Sequence, residues 1–166
     1  MINPIIIVLF LATLGQSFAS QPEQHEIRAR FVKATQQPDY RSTFYELVSN
    51  ANPTNFHSAY LGAAKTLMAE NSVSPFAKLS LFNDGKTLIE EAINEQPDEA
   101  EFRYLRFLVQ FKAPAFLGYN HNIKSDYLFV KSYIEQTSIY QESWIDYFKQ
   151  FERIHADELS TYLEGA

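Results

Sequence analysis

From residue 24 onward, apolar side chains return every three or four positions, the spacing that lines one face of an α-helix. No segment alternates apolar with polar residues beside an Asn-Gly or Asp-Gly hairpin turn, and the single Asp-Gly pair, Asp84-Gly85, lies inside a helical pattern. Ile27, Phe31 and Ala34 predict a first helix that runs to the break at Gln36-Gln37-Pro38. Tyr40, Phe44, Leu47 and Val48 predict a second, which stops before Asn50-Ala51-Asn52-Pro53. Phe56, Tyr60, Ala63, Ala64 and Leu67 share one face of a third helix, with Thr54 as its cap and Asn71 closing it. Pro75 opens a fourth, where its missing N–H costs nothing, and the apolar face is Phe76, Leu79, Phe82, Leu88, Ile89, Ala92 and Ile93.

Pro97-Asp98-Glu99 places acidic residues in the first turn of a fifth helix, where they complement the helix dipole. The stretch from Phe102 to Phe111 leaves only Arg103, Arg106 and Gln110 as a narrow polar stripe, so this helix is expected to be packed on most sides and to form the centre of the fold. After Ala113-Pro114 comes an irregular loop, Phe116 to Asn122. A sixth helix follows with Ser125 as its cap, and a last continuous one from about Gln141 to Tyr162 carries Trp144, Phe148, Phe151, His155, Leu159 and Tyr162. Connections are short and no Ser/Gly or Pro-rich linker divides them. The expectation is one all-α domain, residues 20–166, built of about seven helices as stacked antiparallel hairpins, either a short α-solenoid or an orthogonal bundle.

The first residues follow a different rule. Met1 to Ala19 carry no charged side chain, and the run from Ile5 to Ala12 is followed by the small-residue pattern Ser17-Phe18-Ala19. This reads as a signal peptide cut after Ala19, and predicts an exported protein, periplasmic or extracellular, with no stable membrane anchor once the leader is removed.

Composition narrows the function classes. The chain has 166 residues, 46% hydrophobic and 15% aromatic, enough for a filled core. With 14 Lys+Arg against 20 Asp+Glu its net charge is −6, so no nucleic-acid partner is expected. It contains no cysteine, which removes disulfides, thiolate metal sites and cysteine nucleophiles.

Within Gly85 to Asp98, the residues Gly85, Ile89, Ala92 and Pro97 stand in the order small, large, small and helix-ending, and Leu61-Gly62 stands in the preceding helix. This pair of segments resembles one hairpin of a tetratricopeptide repeat, in which small residues let two helices approach closely. The resemblance implies a helical-repeat surface of the kind that binds a protein or peptide partner. The stretch Ser74 to Lys86, followed by Glu101-Phe102-Arg103-Tyr104-Leu105-Arg106-Phe107 and Phe116-Leu117-Gly118-Tyr119-Asn120, is similar to uncharacterised exported proteins of Bacteroidota. That similarity implies export and a small helical domain.

Candidate chemistry is sparse. Glu152-Arg153-Ile154-His155 has the Glu-x-x-His spacing of carboxylate-bridged di-iron bundles but lacks the second copy they need, so His155 reads as a core histidine. His25 and His57 read as surface or helix-start residues. Arg103, Arg106 and Gln110 share one helix face, where two guanidinium forks can hold a ligand's anion or pair with Glu90, Glu91 or Asp126. The loop adds Tyr119, Asn120 and His121, with Asp126 nearby, and the tyrosines at 104, 119, 127, 133 and 140 offer a groove lining. An enzymatic alternative, hydrolase-like, has His121 as general base oriented by Asp126; the structural one is a loop pinned by Phe116 and Leu117 with a turn at Gly118. No phosphate-binding loop, dinucleotide fingerprint or nucleophile elbow occurs. The resulting expectation is a non-catalytic domain without cofactor or metal, binding a protein segment or small ligand through Arg103, Arg106, Gln110, Tyr119, Asn120, His121 and Asp126; a structural role in an envelope assembly is the further alternative.

Overall fold

A computed structural model describes residues 24–137 and 143–164. The proposed signal peptide, Met1–Ala19, and Tyr140 lie outside the described residues. Within them the chain is all-α, with helices α1 (Gln24–Gln36), α2 (Arg41–Ser49), α3 (Asn55–Asn71), α4 (Pro75–Glu95), α5 (Ala100–Lys112), α6 (Ile123–Gln136), α7 (Ser143–Ile154) and α8 (Ala156–Glu164). Single 3-10 turns at Pro38–Tyr40 and Ala115–Leu117 complete the secondary structure of the described residues. No described helix is long and apolar enough to cross a membrane.

The punctuation of the sequence sets most helix starts. Thr54 Oγ1 accepts from the amide of His57 at 3.3 Å, and Ser74 Oγ accepts from Ala77 at 3.4 Å with Pro75 as the first residue of α4. Two starts differ from expectation. Pro97 and Asp98 form a turn, and α5 begins at Ala100 with the Glu99 carboxylate accepting the amide of Glu101 at 3.2 Å. α6 begins before Ser125, whose hydroxyl donates to the carbonyl of Asn122 at 3.0 Å instead of capping.

The last helix is two rather than one. The chain departs from helical geometry at His155, separating α7 from α8, although His155 N still bonds Phe151 O at 3.0 Å and Leu159 N bonds His155 O at 2.8 Å. Because these bonds carry on across the break, the apolar stripe stays in register and gives no sign of the bend. His155 itself is only half-buried, its ring stacked 4.3 Å from Phe151 and its Nδ1 lying 3.4 Å from Glu158.

α5 is the centre of the molecule, burying ten of its thirteen residues. Phe107 lies at its middle, with ring centroids of Phe111, Tyr127, Phe148 and Phe151 between 5.6 and 6.0 Å away, so α5, α6 and α7 share one aromatic cluster. One continuous set of buried side chains runs from Ile27 of α1 to Leu159 of α8, including Ile89 and Ala92 of α4 with Phe102 and Leu105 of α5.

α3 and α4 share the most extensive helix–helix contact among the described residues. At their crossing Gly62 and Gly85 face each other, and a Cβ built on either would lie 2.6 or 2.5 Å from the other's carbonyl oxygen. The opening of α4 departs from its sequence pattern: Phe76 is 89% exposed and Leu79 is also exposed, so the predicted apolar face is covered only from Phe82 onward.

Candidate functional site

The polar stripe of α5 and the loop that follows it form one network. Arg106 is buried and grips Asp126 of α6 with two nitrogens, Nε to Oδ2 at 2.6 Å and Nη2 to Oδ1 at 2.8 Å. Its third nitrogen, Nη1, donates to Glu90 of α4 at 2.8 Å. Burial works against the charge of Arg106, but the Asp126 hydrogen bonds and then the charges of Asp126 and Glu90 more than offset it, holding its pKa above the ordinary guanidinium value. Arg103 donates to Asp126 at 3.4 Å and to the carbonyl of Pro97 at 2.9 Å, and its guanidinium lies over the Phe129 ring. Two guanidiniums thus meet two carboxylates, and the pairing uses Glu90 and Asp126 rather than Glu91.

Tyr119 belongs to the same network. Its hydroxyl donates to Glu90 at 2.6 Å, and burial followed by that hydrogen bond pushes its pKa up. Tyr119 and the half-buried Leu117 pin the loop, whereas Phe116, expected to do so, is 86% exposed. Gly118, at φ +60°, makes the turn into it. Gln110 closes the far end, its Oε1 accepting from the Asn122 amide at 3.0 Å and its Nε2 donating to Asn122 Oδ1 at 3.3 Å. Asn120 and His121 are exposed. Asp126 has no exposure and shares no hydrogen bond with His121. Of the tyrosines expected to line a groove, Tyr104, Tyr119 and Tyr127 are instead core residues and Tyr133 stands at the surface.

Two further polar ties complete the interior. Glu101, buried in the first turn of α5, receives Arg28 of α1 through two bonds of 2.7 and 2.6 Å and the hydroxyl of Tyr60 at 2.5 Å. Glu152 is taken by the Tyr127 hydroxyl and by Lys131 at 3.0 Å, which leaves the Glu-x-x-His segment serving helix packing. Among the described residues no group of three or more His, Asp or Glu is placed to hold a metal ion.

A large apolar cleft lies elsewhere on the surface. It opens between α1, α3, α4, α5 and the Ala115–Leu117 turn with a volume of about 470 Å³, within the range of about 300–1,000 Å³ usual for small-molecule sites. Phe31, Leu67, Phe82, Leu108, Val109 and Leu117 give it apolar walls, while Leu79 and Phe116 bring exposed apolar surface to it. Behind the wall the Tyr119 ring meets Phe82 edge to face at 5.9 Å, so the Glu90–Tyr119 hydrogen bond braces the cleft from inside. Sequence reasoning placed Phe82 and Leu79 on an apolar helix face but had no means to see that Leu79 stays half-exposed. The one signal present was a lysine, Lys78, interrupting that face.

No protein-family model matches the chain, and comparison with curated proteins and with solved structures gives no match.

Proposed function

We propose that the protein is an exported, non-catalytic helical domain that binds a small apolar ligand in the cleft between α3, α4 and α5. The observation that carries this reading is the apolar-walled cleft of about 470 Å³, bordered by the exposed side chains of Leu79 and Phe116. Full engagement of Arg106 and Asp126 by partners inside the protein supports moving the binding site away from the α5 stripe. The Gly62–Gly85 approach supports the tetratricopeptide-like reading of α3 and α4, and the apolar run Ile5–Ala12 supports export.

A protein segment as ligand is the second reading. Val73 and Phe76 are 99% and 89% exposed beside the cleft residue Pro75 without lining the cleft, so a small ligand would leave them bare.

Saturable binding of a neutral fluorescent apolar probe to the purified protein tests the main reading. Leu79→Asp, at an exposed lining position, is expected to abolish binding with an unchanged melting curve. Equal binding by this variant would remove the cleft as the site.

A further inference from the structure

The polar groups around the cleft are nearly all engaged inside the protein. Thr35 Oγ1 donates to Val32 O at 2.7 Å and lies 2.9 Å from the Tyr147 hydroxyl; Thr66 Oγ1 donates to Ala63 O at 2.8 Å. Glu70 is held by Arg41 at 2.7 Å. The exceptions are two cations, Lys78 and Lys112, whose ammonium groups have no hydrogen-bond or ion-pair partner among the described residues. Lys112 ends α5, where the helix dipole favours a positive charge. Lys78 stands in the first turn of α4, where the dipole opposes one and no carboxylate offsets it. In a protein of net charge −6, two unpaired lysines therefore sit on the border of a large apolar cleft.

We infer that the cleft takes an alkyl carboxylate, a single hydrocarbon chain with one anionic head. The chain lies against Leu67, Phe82, Leu108 and Leu117, and the carboxylate is held by Lys78 and Lys112. This rests on the reading of the cleft as the binding site and adds the sign of the ligand's charge. Each contact between the head and an exposed lysine is modest, so the hydrocarbon supplies affinity and the lysines supply selection.

The test is calorimetric titration of the purified protein with decanoate, decanol and decyltrimethylammonium, each kept below micelle formation. Decanoate is expected to bind about tenfold more tightly than decanol, the combined effect of two exposed charge contacts, and the cation more weakly still. Lys78→Gln/Lys112→Gln is expected to remove that advantage while leaving decanol binding unchanged. Lys78→Glu/Lys112→Glu is expected to reverse the order of decanoate and decyltrimethylammonium. Both lysines are exposed, so unchanged melting curves are expected for these variants. Equal affinity for decanoate and decanol, or retention of the decanoate advantage in either variant, overturns the inference and leaves an apolar binding cleft standing. Binding of none of the probes overturns both, and assigns the cleft to a protein segment.

Discussion

Gly62 and Gly85 meet backbone to backbone: the carbonyl oxygen of Gly85 lies 2.6 Å from the point where a Cβ on Gly62 would stand, and the reverse distance is 2.5 Å. No side-chain rotation relieves such a contact, so any larger residue must force α3 and α4 apart. Gly62→Ala and Gly85→Ala gain helix propensity yet are each expected to lower stability by a net of about 1–2 kcal/mol, since overpacking outweighs the propensity gain. Gly118→Ala is expected to lose about 1 kcal/mol for a different reason, the positive φ, because nothing lies within 4 Å of its Cβ position. Urea unfolding of the three variants separates collision from backbone strain.

The Arg106–Asp126 pair is expected to behave as packing, not as a ligand cradle. Asp126→Ala leaves a buried guanidinium without its bidentate partner and is expected to cost about 3–5 kcal/mol. The double replacement Arg106→Met/Asp126→Leu is expected to recover most of that loss, because apolar residues of similar size need no partner. A double variant no more stable than Asp126→Ala would show that the pair does more than fill space.

Tyr104 presents the opposite case. Its hydroxyl is buried with no hydrogen-bond partner among the described residues, while its ring packs 5.3 Å from Trp144 and 6.2 Å from Phe148. Tyr104→Phe keeps the ring contacts and removes an unsatisfied oxygen. It is expected to be neutral or to stabilise by about 1 kcal/mol, measured by thermal or urea unfolding.

Alkaline pH is expected to unfold the protein through its buried tyrosines. Burial first, with Glu101 next for Tyr60, Tyr147 for Tyr104 and the Glu90 hydrogen bond for Tyr119, raises all three pKa values in the folded state. The unfolded chain releases these protons near pH 10, about the ordinary tyrosine value. Their contribution is therefore fully present below that pH and is lost progressively as pH rises above it. Tyrosinate absorbance should show Tyr60, Tyr104 and Tyr119 ionising only together with loss of helical circular dichroism. Titration of all ten at one ordinary pKa in a chain that stays folded would contradict this.

Helical class, most helix bounds and the central place of α5 were legible because three- and four-residue spacing, Ser and Thr caps and Pro openings are all local signals. Long-range pairing was not. Glu101 reads in sequence as one more first-turn acid, and its buried role depends on Arg28, 73 residues away. The cleft was hidden for a related reason: periodicity says that Leu79 and Phe82 share a face of α4, not that a neighbour covers one and leaves the other exposed. The bend at His155 was masked because hydrogen bonding continues through it. On the α5 stripe the residue types were informative, and sequence could go no further than the competing readings of anion cradle and internal pairing.

The ties of α1 also set an order on the making of the molecule. Arg28 finds Glu101 only after 73 further residues exist, and Thr35 reaches Tyr147 after 112. α1 can therefore meet α2 and α3 early in synthesis, Phe31 packing on Phe44 and Tyr60, while its polar ties wait for α5 and α7. The seating of α1 is thus finished only once α7 has been synthesised, so the two ends of the described chain become locked together in the last stage of making the molecule.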